Sequence, residues 1–171
     1  MTEMSIERAR GTAAEREALE QLSQLYVYDF IELLAPARRP HLADDGRFPP
    51  LPELDEYWTD PDRSVWFLRT EGILCGFALL NKHSHSGEPV DFNVGEYFVA
   101  RPYRRSGVGT WGIVQLLNDH PGSWEIAVSA RNLPAQVFWP RAIAGARITD
   151  LQKLQGDGTL WNGPILRFTA G

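Results

Sequence analysis

Arg104, Arg105, Gly107 and Gly109 lie between an alternating, strand-like run and an apolar helical one. A helix that opens after glycines presents free backbone N–H groups and the positive end of its dipole, so it suits a phosphate. The arginines add charge just ahead of those amides, and the glycines remove side chains that would hold an anion off the backbone. A pyrophosphate seat is the chemistry this stretch points to. Glu96, on the preceding run, offers a second chemistry. In strict alternation it shares a strand face with Phe92, Val94 and Phe98, where burial would raise its pKa toward that of a general base. The bland reading is a sheet-edge carboxylate that bonds a loop or an ammonium without exchanging protons. Glu125 is the reserve base, and His83 or His85 acting through water comes third. The two histidines have no third ligand nearby, so no metal is expected and solvated loop residues are the preferred reading.

The elements that must position these groups follow from periodicity. Ser5 to Arg10 reads as a short strand. Thr12 to Leu34 is a helix: Leu19, Leu22, Tyr26, Phe30 and Leu33 fall at three- and four-residue steps, and Thr12 with Glu15 makes a capping box. That stripe reads as core. Residues 35–52 hold five prolines and an Asp-Asp-Gly turn, too proline-rich for regular structure and too long for a plain connector. A short helix is expected at 51–58 and a β-hairpin at 65–70 and 73–82 about Glu71-Gly72. A polar loop (83–91), a strand (90–99), a basic elbow (100–106) and a helix (107–118) come next. Trp124 to Asn132 is a strand, and Asn132 caps a helix with Pro134 in its first turn, which Pro140 should kink or shorten. Two closing strands flank the turn at 155–158.

The chain has 171 residues, enough for one domain, 1–171, with a full core. Its charge of −5 argues against broad nucleic-acid binding, which needs a basic face, and leans weakly toward a cationic substrate. No apolar run has membrane-spanning length and the N-terminus lacks a signal-peptide core, so a cytoplasmic protein without membrane attachment is the expectation. Cys75, the single cysteine, reads as a core thiol. A monomer or homodimer is expected.

Gly107, Gly109 and Gly112 also spell GxGxxG, the dinucleotide fingerprint. That motif needs the strand to run almost directly into the first glycine and an acidic residue about twenty positions later. Here a basic elbow intervenes and the later position falls near Asn132. A P-loop fails for want of a Gly-Lys-Ser/Thr ending. The segment instead resembles the acyl-CoA signature of the GNAT N-acetyltransferase superfamily, Arg/Gln-x-x-Gly-x-Gly/Ala, as Arg104, Gly107 and Gly109. Asn132, Ala135 and Phe138 match the family's later Asn-x-x-Ala-x-x-Phe pattern, and the order of elements agrees over most of the chain.

The resemblance implies an α/β (α+β) fold: a mixed, mostly antiparallel central sheet with splayed fourth and fifth strands, flanked by helices. It implies acetyl-CoA as cofactor, with its pyrophosphate on the backbone of Arg105, Ser106, Gly107, Val108, Gly109 and Thr110 behind Arg104. The pantetheine would pair with the strand edge at Phe98, Val99 and Ala100 and meet Asn132 and Phe138. An N–H of the bulged fourth strand, near Phe98 or Val99, would polarise the thioester. The usual acid, a tyrosine after the Phe, is here Trp139, so Tyr103, Tyr97 or water must stand in. The implied activity is acetylation of an amine. A small molecule of aminoglycoside or polyamine type is preferred to a peptide, with Tyr28, Asp29, Asp44, Asp45, Trp58 and Trp139 as substrate-binding candidates. Asp44 and Asp45 read equally as a solvated turn. The competing reading is an acyl-CoA-binding domain without catalysis.

Overall fold

The computed structural model describes residues 2–171. A seven-stranded sheet runs through it in the order β1 (Met4–Arg8), β2 (Ser64–Thr70), β3 (Ile73–Asn81), β4 (Phe92–Val99), β5 (Gly122–Ala127), β7 (Pro164–Ala170), β6 (Ile148–Gln155). Every neighbouring pair is antiparallel except β4 and β5. Helix α1 (Ala13–Phe30) covers one face; α2 (Val108–Asp119) and α3 (Leu133–Ile143) cover the other. Among the described residues no helix is long and apolar enough to cross a membrane.

Local chemistry explains most boundaries. The Thr12–Glu15 capping box starts α1, which tightens at Ile31–Leu33 into a 3-10 turn. Glu71 and Gly72 both take positive φ (49° and 73°), the backbone that lets a two-residue turn follow strand twist. Asn132 caps α3 through its side-chain oxygen, and Pro140 sits inside that helix without ending it. The 51–58 helix is a 3-10 segment, Leu54–Trp58. Cys75 is fully buried, its thiol donating to the Leu68 carbonyl at 3.3 Å, and burial raises its pKa.

One irregularity decides where the site lies. Leu79 pairs with Glu96 but Leu80 pairs with Val94, so Gly95 is an extra residue bulged out of β4. The bulge breaks the strict alternation expected from sequence. Phe92 and Val94 face α2 and α3, whereas Glu96 and Phe98 face α1. The bulge therefore lies at Gly95, upstream of Phe98 and Val99. A Cβ on Gly95 would lie 2.7 Å from the Tyr57 hydroxyl and 2.8 Å from Asn81 Nδ2, two groups bonded to each other at 2.6 Å. Gly95→Ala should therefore cost about 1–3 kcal/mol in chemical denaturation and cut activity with it. Wild-type stability in that variant would refute the packing argument.

Candidate active site

The parallel pairing of β4 with β5 is confined to Phe92–Trp124 and Asn93–Glu125. From Val94 onward β4 has no strand partner on that side, and the two strands part. Two cavities meet in the gap. One, of about 790 Å³, runs toward the elbow; the other, of about 750 Å³, runs toward the proline-rich segment. Tyr26, Phe30, Tyr97, Asn132, Ala135 and Trp139 line both. The sequence stripe on α1 therefore divides: Leu19 and Leu22 are core, while Tyr26 and Phe30 are cavity wall.

At the elbow, Arg105 (φ +64°) and Gly107 (φ +91°) take left-handed conformations on either side of Ser106. Such turns point successive N–H groups to one side, a concavity suited to an anion. The first α2 bond runs from Trp111 N–H to the Gly107 carbonyl at 2.9 Å, leaving the N–H groups of Gly109 and Thr110 ahead of it. Beyond its own chain neighbours, nothing lies within 4 Å of where a Gly107 Cβ would be, so the seat is open there. Gly112, third in the GxGxxG spelling, serves packing: its Cβ would lie 2.7 Å from Leu68 Cδ2.

Arg104 donates from Nε to the Val99 carbonyl at 2.7 Å and pairs through Nη2 with Asp29. Arg101 reaches the same carboxylate at 2.8 Å. Asp29 therefore belongs to the elbow cavity, apart from the proline-lined one. Phe98, Val99, Arg104, Arg105, Gly107, Gly109, Thr110, Asn132 and Phe138 line this elbow side. Ala100, Ser106 and Val108 do not: the Ala100 N–H goes to Cys75, the Ser106 hydroxyl to Tyr103, and the Val108 side chain into the core.

Glu96 faces the other cavity, half-buried, and accepts a short hydrogen bond from the Tyr26 hydroxyl. Burial pushes its pKa up to about 7, against the opposing pull of the Tyr26 bond. The phenol is pushed well above its usual range, by burial and then by the Glu96 charge. A carboxylate near neutrality can exchange a proton with an amine. Glu125 cannot serve so easily. It is fully buried and takes bonds from Ser86, from the His85 N–H at 2.8 Å and from Arg167 at 2.6 Å. Burial alone would raise its pKa; those bonds more than reverse this and hold it as an anion. His83 and His85 line the cavity edge-to-face, 4.7 Å apart, with His85 against Trp161; burial lowers the His85 pKa.

Several expected substrate residues lie elsewhere. Asp44 and Asp45 sit in an exposed turn where Asp45 accepts the Arg47 N–H; Tyr28 is exposed beside Phe48; Trp58 packs under the Arg16 guanidinium. None of the four lines either cavity. Trp139 does, edge-on to Tyr97. The Tyr97 hydroxyl is committed to the Gly109 carbonyl at 2.7 Å, and burial pushes its pKa far up. Sequence reasoning missed Arg101, Asn81 and Asn93, and placed Tyr26 in an apolar stripe read as core. Tyr26, a polar-tipped ring in an otherwise apolar stripe, was the one available signal.

The family model described as "Acetyltransferase (GNAT) family" matches residues 27–142, which hold β4, the elbow, α2 and the Asn132 helix. The chain belongs to this family. As a GNAT acetyltransferase it is an enzyme that uses acetyl-CoA. Among solved structures it is similar to an acetyltransferase from Thermus thermophilus (14% identity, TM-score 0.64, covering 96% of each chain). It is also similar to a GNAT acetyltransferase from Staphylococcus aureus (12% identity, TM-score 0.60, covering 96% of this chain and 99% of that one). A third is PaiA N-acetyltransferase from Thermoplasma acidophilum, solved with coenzyme A (10% identity, TM-score 0.59, covering 98% and 99%). At these identities the likeness is one of fold. No curated protein matches the sequence significantly.

Glu125 closes the intact end of the splayed pair, so Glu125→Gln should lower unfolding free energy by about 2 kcal/mol. That is below the full cost of breaking a buried pair, because Arg167 keeps the Glu88 and Pro89 carbonyls. With its pKa depressed, the carboxylate stabilises the fold above its ordinary pKa, and this is lost as pH falls through the folded value. The gap between wild type and variant should therefore narrow in acid; a pH-independent gap in urea titrations would contradict the assignment.

Proposed function

We propose that this enzyme transfers acetyl from acetyl-CoA to the primary amine of a compact small molecule with an apolar body, with Glu96 as the general base. The observation that carries the reading is Glu96 itself, a carboxylate with a pKa of about 7 that faces the acceptor cavity.

The elbow fits coenzyme A. Two left-handed residues, free α2 amides and the vacant Cβ direction of Gly107 favour a pyrophosphate. The channel from there to Asn132 and Phe138 has room for a pantetheine arm. Arg104 and Arg101, shared with Asp29, would hold phosphate charge, and the unpaired edge of β4 past Val94 would orient the arm. Acetyl-CoA supplies the activated acyl group. The protein's own work is to bring a neutral amine to it, remove the amine proton at Glu96 and exclude water with Tyr26, Phe30 and Trp139.

An aminoglycoside or polyamine would need several carboxylates on the acceptor cavity. Of the acids lining it, Glu53 is tied to Arg63 at 2.7 Å, which leaves Glu96. Pro40, Pro49, Pro50, Leu51, Leu79 and Trp161 give one part of the remaining wall an apolar surface suited to an apolar body, beside a polar part at Asn81, His83, His85 and Asn93. Trp139, in place of the usual tyrosine, favours a second reading as an acyl-CoA binder without turnover.

A thiol-release assay with acetyl-CoA and a panel of apolar monoamines and polyamines separates the two. Glu96→Gln should lower kcat/KM about 100-fold or more, and the wild-type rate should climb with pH to about 7 and then level. A flat pH profile, or full activity in Glu96→Gln, would remove Glu96 from the chemistry. For the cofactor seat, Gly107→Glu should weaken CoA binding by about tenfold or more in calorimetry, roughly 1.4 kcal/mol. Gly107→Ala, with the same backbone strain but no charge, should bind far more tightly than Gly107→Glu; equal affinities would refute an anion seat.

A further inference from the structure

We propose that Tyr26 is the proton donor to the departing sulfur, recharged by Glu96 across their hydrogen bond. The inference rests on Glu96 acting as base, and it fills the role left vacant by Trp139, whose indole is no acid.

Among the tyrosines that line the cavities, the geometry leaves one phenol for the task. Tyr97 is committed to the Gly109 carbonyl. The Tyr57 hydroxyl accepts from Asn81 and lines the acceptor cavity alone, while Tyr103 lines the elbow cavity alone. Tyr26 lines both and is bonded to Glu96. Its ring is held edge-on by Phe77 (6.0 Å) and Phe98 (5.9 Å) and lies 5.4 Å from Phe30. The ring is fixed between base and thioester channel by three aromatics, so once Glu96 carries a proton only a rotation of the Tyr26 hydroxyl is needed to turn its hydrogen from Glu96 toward the sulfur.

The step balances. A neutral amine forms the C–N bond as the C–S bond breaks. The nitrogen gives up one proton to Glu96, Tyr26 gives its phenolic proton to the sulfur, and Glu96 passes its new proton to the Tyr26 oxygen. Net, one proton moves from nitrogen to sulfur, and both residues return to their starting states. Burial and the Glu96 charge make the resting phenol a weak acid. Protonation of Glu96 removes that charge at the moment a donor is needed. The source is then a carboxyl with a pKa of about 7, and an ordinary thiol, at about 8.5, accepts from it downhill.

Tyr26→Phe keeps the ring and deletes the donor. With acetyl-CoA its kcat should fall about 100-fold while CoA affinity by calorimetry stays unchanged. With p-nitrothiophenyl acetate, whose thiolate leaves without protonation, the loss should nearly vanish. An equal loss with both donors would overturn the relay and make Tyr26 a positioning residue; no loss with acetyl-CoA would overturn it outright. In the free protein, carbon-13 NMR of wild type should show the Tyr26 phenol carbon and the Glu96 carboxyl shifting at one common midpoint, which Tyr26→Phe raises for Glu96. Independent titrations would overturn the coupling whether or not the variant folds. Wild type inactive toward every amine would defeat the amine-transfer reading itself, whereas active wild type with an undiminished Tyr26→Phe would defeat the relay alone.

Discussion

Two residues of parallel pairing, Phe92 with Trp124 and Asn93 with Glu125, hold the two halves of this sheet together before β4 and β5 diverge. A continuous ladder would satisfy more backbone groups, so the divergence needs an anchor at its closed end and partners for its open edges. Glu125 provides the anchor. Fully buried on β5, it binds Arg167 on β7 and the Ser84–Ser86 loop leading to β4, tying three segments where the strands still touch. Past that point the β4 edge is left for a ligand, and α1, α2 and α3 close around the gap.

Polarity within the gap is set by which face each β4 residue takes. Without the Gly95 bulge, Glu96 would point into the Trp124 cluster, where a carboxylate has nothing to bond. With it, Glu96 meets Tyr26 beneath α1, and the neighbouring Tyr97 bonds Gly109 in the first turn of α2. One inserted residue thus decides which face each of these two adjacent side chains takes. Asp29 works comparably at the elbow, drawing Arg101 and Arg104 to the end of α1 and holding both guanidiniums there.

What the sequence made legible was local. Capping at Thr12 and Asn132, the Glu71-Gly72 turn and the Arg104–Gly109 elbow each depend on residues a few positions apart, and the elements they bound fall within a few residues of expectation. The family resemblance implied a bulged fourth strand near Phe98 or Val99, but the place of the bulge at Gly95 was not legible, because what excludes a side chain there is Tyr57 and Asn81, brought close only by the fold. Asp29, Asp44, Asp45, Tyr28 and Trp58 were grouped by composition, but only tertiary packing decides which way a proline-rich segment turns its acids. Tyr26 was placed in the core by its helical period, which was right for Leu22 and Leu19, one and two turns earlier. Where α1 overhangs the gap, the same stripe becomes cavity wall.

On the proposed role of Glu96, the burial that raises its pKa would also restrict what can be acetylated. An ammonium has no lone pair, and a site dry enough to hold a carboxylate near pH 7 penalises every additional charge brought into it. A monoamine can meet this by leaving its single proton in solvent or on Glu96. A polycation would carry further charges into a cavity where Glu53 is already claimed by Arg63. If Glu96 is the base as proposed, base strength and acceptor charge would both be set by one cavity. Adding carboxylates there to attract polyamines would at the same time push Glu96 upward by like-charge repulsion and shift the useful pH range with it.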